Sequence, residues 1–297
     1  MTFSTGGKFE GGRVRKGGGA KVAVGGGAGA LLIVAVAYLL GGSDAANFVS
    51  GLTGGGSSGG DVGDGQAAYV ESCTADQANT DRECRLNATV QSLDAYWQTA
   101  LPQQSGVAYV QPPVVSYDGA TSSPCGTASA ATGPFYCPAD QTIYIDVSFF
   151  DTLERDYGSS GGPLAEEYVV AHELGHHIEN QLGVLSRAAN DQGADSDSVR
   201  VELMADCLAG MWAGNAATTV DPDTGTTFLN PITDDQLRDA LSAASAVGDD
   251  HIQEQATGQV NPEGFTHGTS DQRMRWFQTG YNGGTVESCN ALDAQEL

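Results

Sequence analysis

Three of the five histidines in the chain lie in one short stretch, VVAHELGHHIEN, which runs from Val169 to Asn180. Within it, His172, Glu173 and His176 form the pattern H-E-x-x-H. Residues four apart share one face of an α-helix, so both imidazoles can bind one metal ion while the glutamate reaches a water molecule beside it. Zinc lowers the pKa of such a water to about 7, and the carboxylate can then take its proton. The pattern therefore predicts hydrolysis of an amide by water.

The neighbours of this motif favour a buried metal site. Residues 168–171 are apolar or aromatic, and Leu174 and Ile178 continue the apolar pattern. Burying two histidines and a glutamate in such a helix without a metal ion would be costly. His177 lies about 100° around the helix from His176. We therefore predict that His177 is not a ligand but a neighbour of the site or a surface residue.

A catalytic zinc needs a third protein ligand and one open position. The segment VELMAD places Glu202 and Asp206 four residues apart on one helical face, among apolar residues. Glu202 is predicted as the third ligand, and Asp206 as the acceptor of the free ring N–H of His172. A third ligand histidine six residues after His176 is excluded, because Leu182 occupies that position. The remaining candidates for a third ligand are Asp195, Asp197, His251 and His267.

Two helices must hold these residues together. The first is predicted in GGPLAEEYVVAHELGHHIENQLG, where Pro163 suits the first turn and Gly183 suits the end. The second covers VRVELMADCLAGMWAGNA, with Ser196 or Ser198 as its N-cap. Further helices are predicted at 88–101, ending before Pro102, in TDDQLRDALSAASAVGDDHIQEQ after Thr233 or Asp234, and after Thr269 or Ser270.

Two segments are predicted as strands. They are YVQPPVVSY and QTIYIDVSFF, and in the second Ile143, Ile145 and Val147 alternate with more polar residues. A loop rich in glycine, proline and cysteine separates them. Helices outnumber strands, so the sequence indicates a mostly helical α+β domain.

Residues 22–41, VAVGGGAGALLIVAVAYLLG, carry no charge and would span about 30 Å as a helix. Five cations precede them and Asp44 follows, which predicts a cytoplasmic basic tail over 1–21, a transmembrane helix over 22–41 and export of the rest. A cleaved signal peptide with Leu31–Leu40 as its apolar core is the alternative, and it exports the same residues. Residues 42–65 are predicted as a flexible Gly/Ser/Asp linker, and 66–297 as an extracytoplasmic domain.

The charge of the chain is uneven. The net charge is −24, and from residue 42 onward eight arginines stand against 36 acidic residues. Such a surface repels nucleic acid and anionic membranes, which argues against a nucleic-acid partner. The simplest interpretation is an acidic, well-solvated exterior that attracts cations.

The six cysteines form no C-x-x-C pair, which disfavours a zinc ribbon. In an oxidising compartment they are expected to form disulfides. Short separations favour the pairs Cys73–Cys84 and Cys125–Cys137, which leaves Cys207–Cys289 as a long closure. A free buried thiol at Cys207 is the alternative.

Several longer stretches match a known family. They are CG at 125–126, GPFYCPAD at 133–140, IYID at 143–146, AHELGHHIEN, VELMADCLAGMWA and FTHGTSDQRMRWF at 265–277. Together they resemble the neutral zinc metallopeptidase family of bacterial, single-span membrane proteins, and E-x-x-x-D in VELMAD is similar to the gluzincins. The resemblance implies a gluzincin-like fold and the zinc ligands His172, His176 and Glu202. It also implies a small sheet whose edge strand, QTIYIDVSFF, precedes the active-site helix and pairs with substrate backbone.

The run T-H-G-T-S-D-Q-R is similar to the T-H-P-x-x-x-x-R signature of membrane-associated gluzincin proteases, with Gly268 in place of proline. Hydrolysis develops an oxyanion, which positioned donors can stabilise. His267 is predicted to face the open zinc position as such a donor. Arg273 is predicted either to assist it or to hold the terminal helix in place.

These features predict a membrane-anchored zinc endopeptidase that acts on a peptide or protein substrate in the cell envelope. The alternative is a zinc-stabilised, non-catalytic domain that binds a cell-envelope partner. Glu173 favours the enzyme, because a purely structural zinc site has no need of a general base.

Overall fold

The computed structural model describes residues 2–17, 68–129 and 132–297. The predicted transmembrane helix at 22–41 and the predicted linker at 42–65 lie outside the described residues. Within the described ranges, no helix is both long enough and apolar enough to cross a membrane.

These ranges form an α+β fold of eight α-helices and nine short strands. The helices are α1 (Ala75–Thr80), α2 (Arg82–Ser105), α3 (Phe149–Arg155), α4 (Pro163–Gln181), α5 (Asp197–Ala216), α6 (Asp234–Ala246), α7 (Asp249–Thr257) and α8 (Ser270–Tyr281). The strands are β1 (Lys8–Phe9), β2 (Val14–Lys16), β3 (Ala68–Tyr69), β4 (Cys73–Thr74), β5 (Val114–Tyr117), β6 (Ala120–Ser123), β7 (Gly126–Ser129), β8 (Phe135–Cys137) and β9 (Thr142–Asp146). The predicted α+β class is confirmed.

The largest sheet has the strand order β3-β2-β5-β9-β8. Strands β2, β5 and β9 run parallel, and the two outer strands run antiparallel to their neighbours. Strand β9, the core of QTIYIDVSFF, is therefore an inner strand, and its prediction as the sheet edge is wrong. Its register pairs Phe135 with Tyr144, so β8 takes the terminal position instead. All five residues of β9 are buried, so both faces of the sheet are covered at this strand.

Residues 2–17 belong to the same domain as the rest of the described chain. Strand β2 lies between β3 and β5, and Phe3 and Phe9 are buried with ring centroids 5.2 Å apart. In the described structure residues 2–17 therefore pack with residues 68–129 and 132–297, whereas the predicted boundaries of the tail, the span and the linker lie outside the described residues.

Close contacts between three helices position the site. Helices α4 and α5 approach at Gly175, where an added Cβ would lie 3.0 Å from the backbone of Ala205. Helix α8 packs on α5 even more closely, since a Cβ on Gly210 would lie 2.0 Å from the carbonyl oxygen of Phe277. A Cβ on Gly280 would meet the oxygen of Cys207 at 1.9 Å. Small residues thus bring the backbones of α4, α5 and α8 together.

All six cysteines are paired, and the three predicted disulfides are confirmed. They join Cys73 to Cys84, Cys125 to Cys137 and Cys207 to Cys289. The alternative of a free thiol at Cys207 is therefore wrong. The third bond joins the middle of α5 to the C-terminal segment, across 82 residues of sequence.

Candidate active site

The H-E-x-x-H motif lies in the second half of α4. Pro163 opens this helix, where its missing N–H leaves no bond unmade. His172, Glu173 and His176 are 7%, 7% and 1% exposed, so the motif is buried in the domain. The two imidazole rings lie one turn apart, with centroids 4.7 Å from each other. They face α5, which begins at the N-cap Ser196.

The side chain of Glu202 on α5 completes a cluster of three ligands. Its Oε2 lies 3.1 Å from His172 Nε2, and its Oε1 lies 3.4 Å from His176 Nε2. Each side chain offers one metal-ligand atom, and these three atoms lie within 4.8 Å of one another. No other group of three or more such side chains in the described ranges comes together in this way. Two imidazole nitrogens and a carboxylate that converge from buried positions fit zinc.

In each of the two histidines, the Nδ1 atom is hydrogen-bonded to a carboxylate other than that of Glu202. His172 Nδ1 lies 2.9 Å from Asp206 Oδ1, the partner expected from the sequence. His176 Nδ1 lies 2.8 Å from Glu179 Oε2. An ionised carboxylate can only accept, so each Nδ1–H donates to its carboxylate, and the two Nε2 atoms, which face Glu202, are the ring nitrogens that would bind a metal ion. Sequence reasoning missed Glu179, although its position three residues after His176 puts it on the same helical face.

Arg273 on α8 holds Asp206 in place. Its Nε and Nη2 donate to the two oxygens of Asp206 at 2.8 and 3.0 Å, and the Tyr168 hydroxyl donates to Oδ1 at 2.5 Å. The guanidinium is 3% exposed and lies 3.7 Å from Glu202. These contacts tie α8 to α4 and α5, and Arg273 also lines the cavity of the site. The role of Tyr168 was also not predicted.

Burial and neighbouring charge set the protonation of the site. Burial raises the pKa of Glu173, against the lowering effect of the two adjacent histidines. For Glu202, burial opposes ionisation, but the charges of His176 and His267 outweigh it and hold the pKa of this carboxyl well below its ordinary value. The site therefore presents one ionised ligand and one carboxyl suited to accept a proton.

His267 lines the same cavity as His172, Glu173 and Glu202. Its loop is held by Asp249, the first residue of α7. Asp249 Oδ2 accepts the backbone N–H groups of residues 266, 267 and 268 at 2.7, 2.6 and 3.0 Å. Its Oδ1 lies 3.3 Å from His267 Nδ1. Sequence reasoning could not find Asp249, because no local pattern links it to a loop 18 residues away.

The other ligand candidates lie outside the cluster. Asp197 begins α5, where its carboxylate accepts the N–H of residue 189, and Asp195 precedes that helix. His251 Nε2 bonds to the carbonyl of residue 157 at 3.0 Å. His177 is fully buried off the metal face, with Nε2 2.7 Å from the carbonyl oxygen of Val110. None of these side chains faces the ligand cluster.

Comparisons with known proteins show the family to which the chain belongs. Rv2575 of Mycobacterium tuberculosis, an uncharacterized protein, is 49% identical over 225 residues, which cover 75% of each chain. The uncharacterized protein YpfJ of Escherichia coli strain K12 is 41% identical over 196 residues, or 64% of each chain. No solved structure matches the chain. The family described as "Putative neutral zinc metallopeptidase" matches residues 7–292, and the chain therefore belongs to that family.

Proposed function

We propose that the protein is a zinc-dependent peptidase that cleaves peptide bonds inside peptide or protein chains. The observation that supports this most strongly is the position of Glu173, whose carboxylate lines the cavity beside the three ligand side chains. A site that only holds a metal ion requires its ligands and their supporting partners. A further carboxyl with a raised pKa, in an accessible cavity, suits a general base.

The chemistry follows from the residues that line the cavity. His172, His176 and Glu202 would hold a zinc ion, which would supply Lewis acidity to a water molecule and to the peptide carbonyl. Glu173 takes the proton from the attacking water and delivers it to the leaving amine. His267, held by its loop, donates a hydrogen bond to the carbonyl oxygen as negative charge develops there.

The terminal strand β8 is our candidate for binding the substrate backbone. It is the last strand of its sheet within the described ranges, and Pro134, directly before it, lines the cavity. An extended peptide added to this edge would run past the ligand cluster, with backbone hydrogen bonds providing affinity. This assignment moves the predicted edge from β9 to β8.

We also propose that the substrate lies in an oxidising compartment. Three disulfides in one chain are typical of an oxidising compartment. Peptides or proteins of the cell envelope are therefore the proposed substrates. The competing function is a non-catalytic, zinc-stabilised binding domain. The following experiment distinguishes the peptidase from that domain.

The test compares the full chain with Glu173→Gln. Both should contain about one zinc per chain by metal analysis, because Glu173 is not a ligand. The parent should cleave members of a peptide library, and the variant should lose nearly all of this activity because an amide cannot accept the proton of water. No cleavage by the zinc-loaded parent would instead favour the binding domain, and equal cleavage by both proteins would refute Glu173 as the general base.

A further inference from the structure

Four of the residues that line the cavity are apolar, and together they are called the apolar wall. Pro134 precedes β8, Phe149 begins α3, Val169 lies one turn before His172 on α4, and Val247 follows α6. All four wall residues are buried. Four separate parts of the chain therefore contribute apolar surface to one cavity.

The charged side chains of the cavity are already engaged. The guanidinium of Arg273 is bound by both oxygens of Asp206, and His267 lies against Asp249. Glu173 serves as the base, and the remaining charged groups are the three ligands. No charge on the apolar wall itself could pair with an ionised side chain of a substrate.

The wall is held in shape before any substrate binds. Asp146 Oδ1, at the end of β9, accepts the N–H and hydroxyl of Ser148 at 2.8 and 2.7 Å, which fixes the turn into α3. The ring of Phe149 then lies against Gly133, where an added Cβ would be 3.3 Å from it. A pocket that is already formed selects side chains by shape and polarity.

We infer that this apolar wall is the specificity pocket, and that the enzyme selects peptides with an apolar side chain next to the scissile bond. The inference rests on the proposed peptidase function and adds a substrate class to it. A carboxylate or ammonium buried against this wall would find no partner, so charged side chains are rejected. Among apolar side chains, one methylene more or less changes kcat/KM by about 10- to 200-fold.

The test uses the zinc-loaded full chain and peptides in which the residues flanking the scissile bond are varied. Apolar residues should be preferred over Asp or Lys by about 100-fold or more in kcat/KM at one flanking position. Phe149→Ala enlarges the pocket and should shift the preference toward larger apolar side chains by about 10-fold or more. Phe149→Leu is the milder variant if Phe149→Ala does not fold.

Phe150→Ala is the matched control. Phe150 is equally buried in α3 but does not line this cavity, so the variant should keep the parental preference. Binding of the same peptides to zinc-loaded Glu173→Gln gives a second measurement that needs no cleavage. Cleavage without an apolar preference overturns the pocket and leaves the peptidase. Apolar-selective binding without cleavage by the parent keeps the pocket and overturns the peptidase, and loss of both overturns both.

Discussion

Four carboxylates lie buried around the two histidines of the site. They belong to Glu173, Glu179, Glu202 and Asp206, and the buried cation that faces them is Arg273, which neutralises Asp206. Buried charges need partners of opposite sign. This surplus of negative charge favours a dication at the ligand cluster, because a metal ion is then the largest positive charge in the site. Residues that do not touch the ion should therefore still affect its binding.

Glu179 provides the clearest test of such an effect. Glu179→Ala should weaken zinc binding about 10- to 100-fold, because His176 loses the carboxylate that orients its ring. Glu179→Gln keeps an acceptor for the Nδ1–H and should lose less. Both can be measured by competition with a chelator. Asn180→Ala is the control, since Asn180 bonds Tyr136 instead, and an unchanged zinc affinity in Glu179→Ala would refute the assignment.

Glu167, also on α4, predicts a pH dependence of stability. It is fully buried, it accepts the Thr2 hydroxyl at 2.5 Å, and burial raises its pKa to about 8 from an ordinary value of 4.5. Between these two values the folded state keeps the proton and the unfolded chain loses it. The contribution of Glu167 to stability is therefore greatest at low pH and falls as pH rises through this window.

Glu167→Gln should remove this dependence. In the parent, each unit of rise in pH within this window should lower the free energy of unfolding by up to about 1.4 kcal/mol through Glu167. The variant should show a flatter profile between pH 5 and 8, measured by denaturant unfolding at several pH values. Glu71→Gln, an exposed site, should follow the parent. Parallel profiles of Glu167→Gln and the parent would contradict a buried, protonated Glu167.

At the scale of elements, the sequence was most informative where signals are local. The N-caps Ser196, Thr233 and Thr269 are each adjacent to the helix they begin, and all three are among the predicted caps. Pairing between strands is not local, which is why the inner position of β9 was missed. Helix α2 continues through Pro102 to its left-handed cap at Gly106, so the proline did not end it as predicted. Pro102 removes one N–H donor from the helix, but its carbonyl still accepts the N–H of the cap residue Gly106.

The contact between α5 and α8 gives a prediction at this scale. Gly280→Ala places a methyl group where the oxygen of Cys207 lies 1.9 Å away, so the two helices must separate. Overpacking of this kind typically costs about 1–3 kcal/mol, occasionally more, and the shift should also pull Arg273 from Asp206 and weaken zinc binding. Gly264→Ala is the control, with no neighbour nearer than 3.8 Å. A thermal midpoint and zinc affinity equal to the parent would refute this packing.

At the scale of the whole molecule, the N-terminal segment is part of the core. Phe9 is 2% exposed and its ring stacks on that of Phe228, 6.1 Å away. The sequence suggested a basic tail here because GGKFEGGRVRK is rich in glycine and cations, with too few apolar residues to indicate a strand. Only its pairing with distant segments makes β2 recognisable.

Phe9→Ala should therefore reduce the free energy of unfolding by about 3–5 kcal/mol. Lys8→Ala, at the neighbouring exposed position, should stay within about 0.5 kcal/mol of the parent. Denaturant unfolding of the full chain measures both. If residues 1–21 were a tail apart from the domain, the two variants would be equally stable.

The disulfide between Cys207 and Cys289 has a consequence for the lifetime of the folded protein. Both cysteines are 0% exposed, whereas Cys84 of the Cys73–Cys84 bond is partly exposed. A thiolate must reach a sulfur atom to exchange with it, so the buried bond opens only when α5 and the C-terminal segment come apart. Its reduction therefore records how often the domain opens around its ligand helix, and the time the bond survives in a thiol reductant measures the kinetic stability of the site.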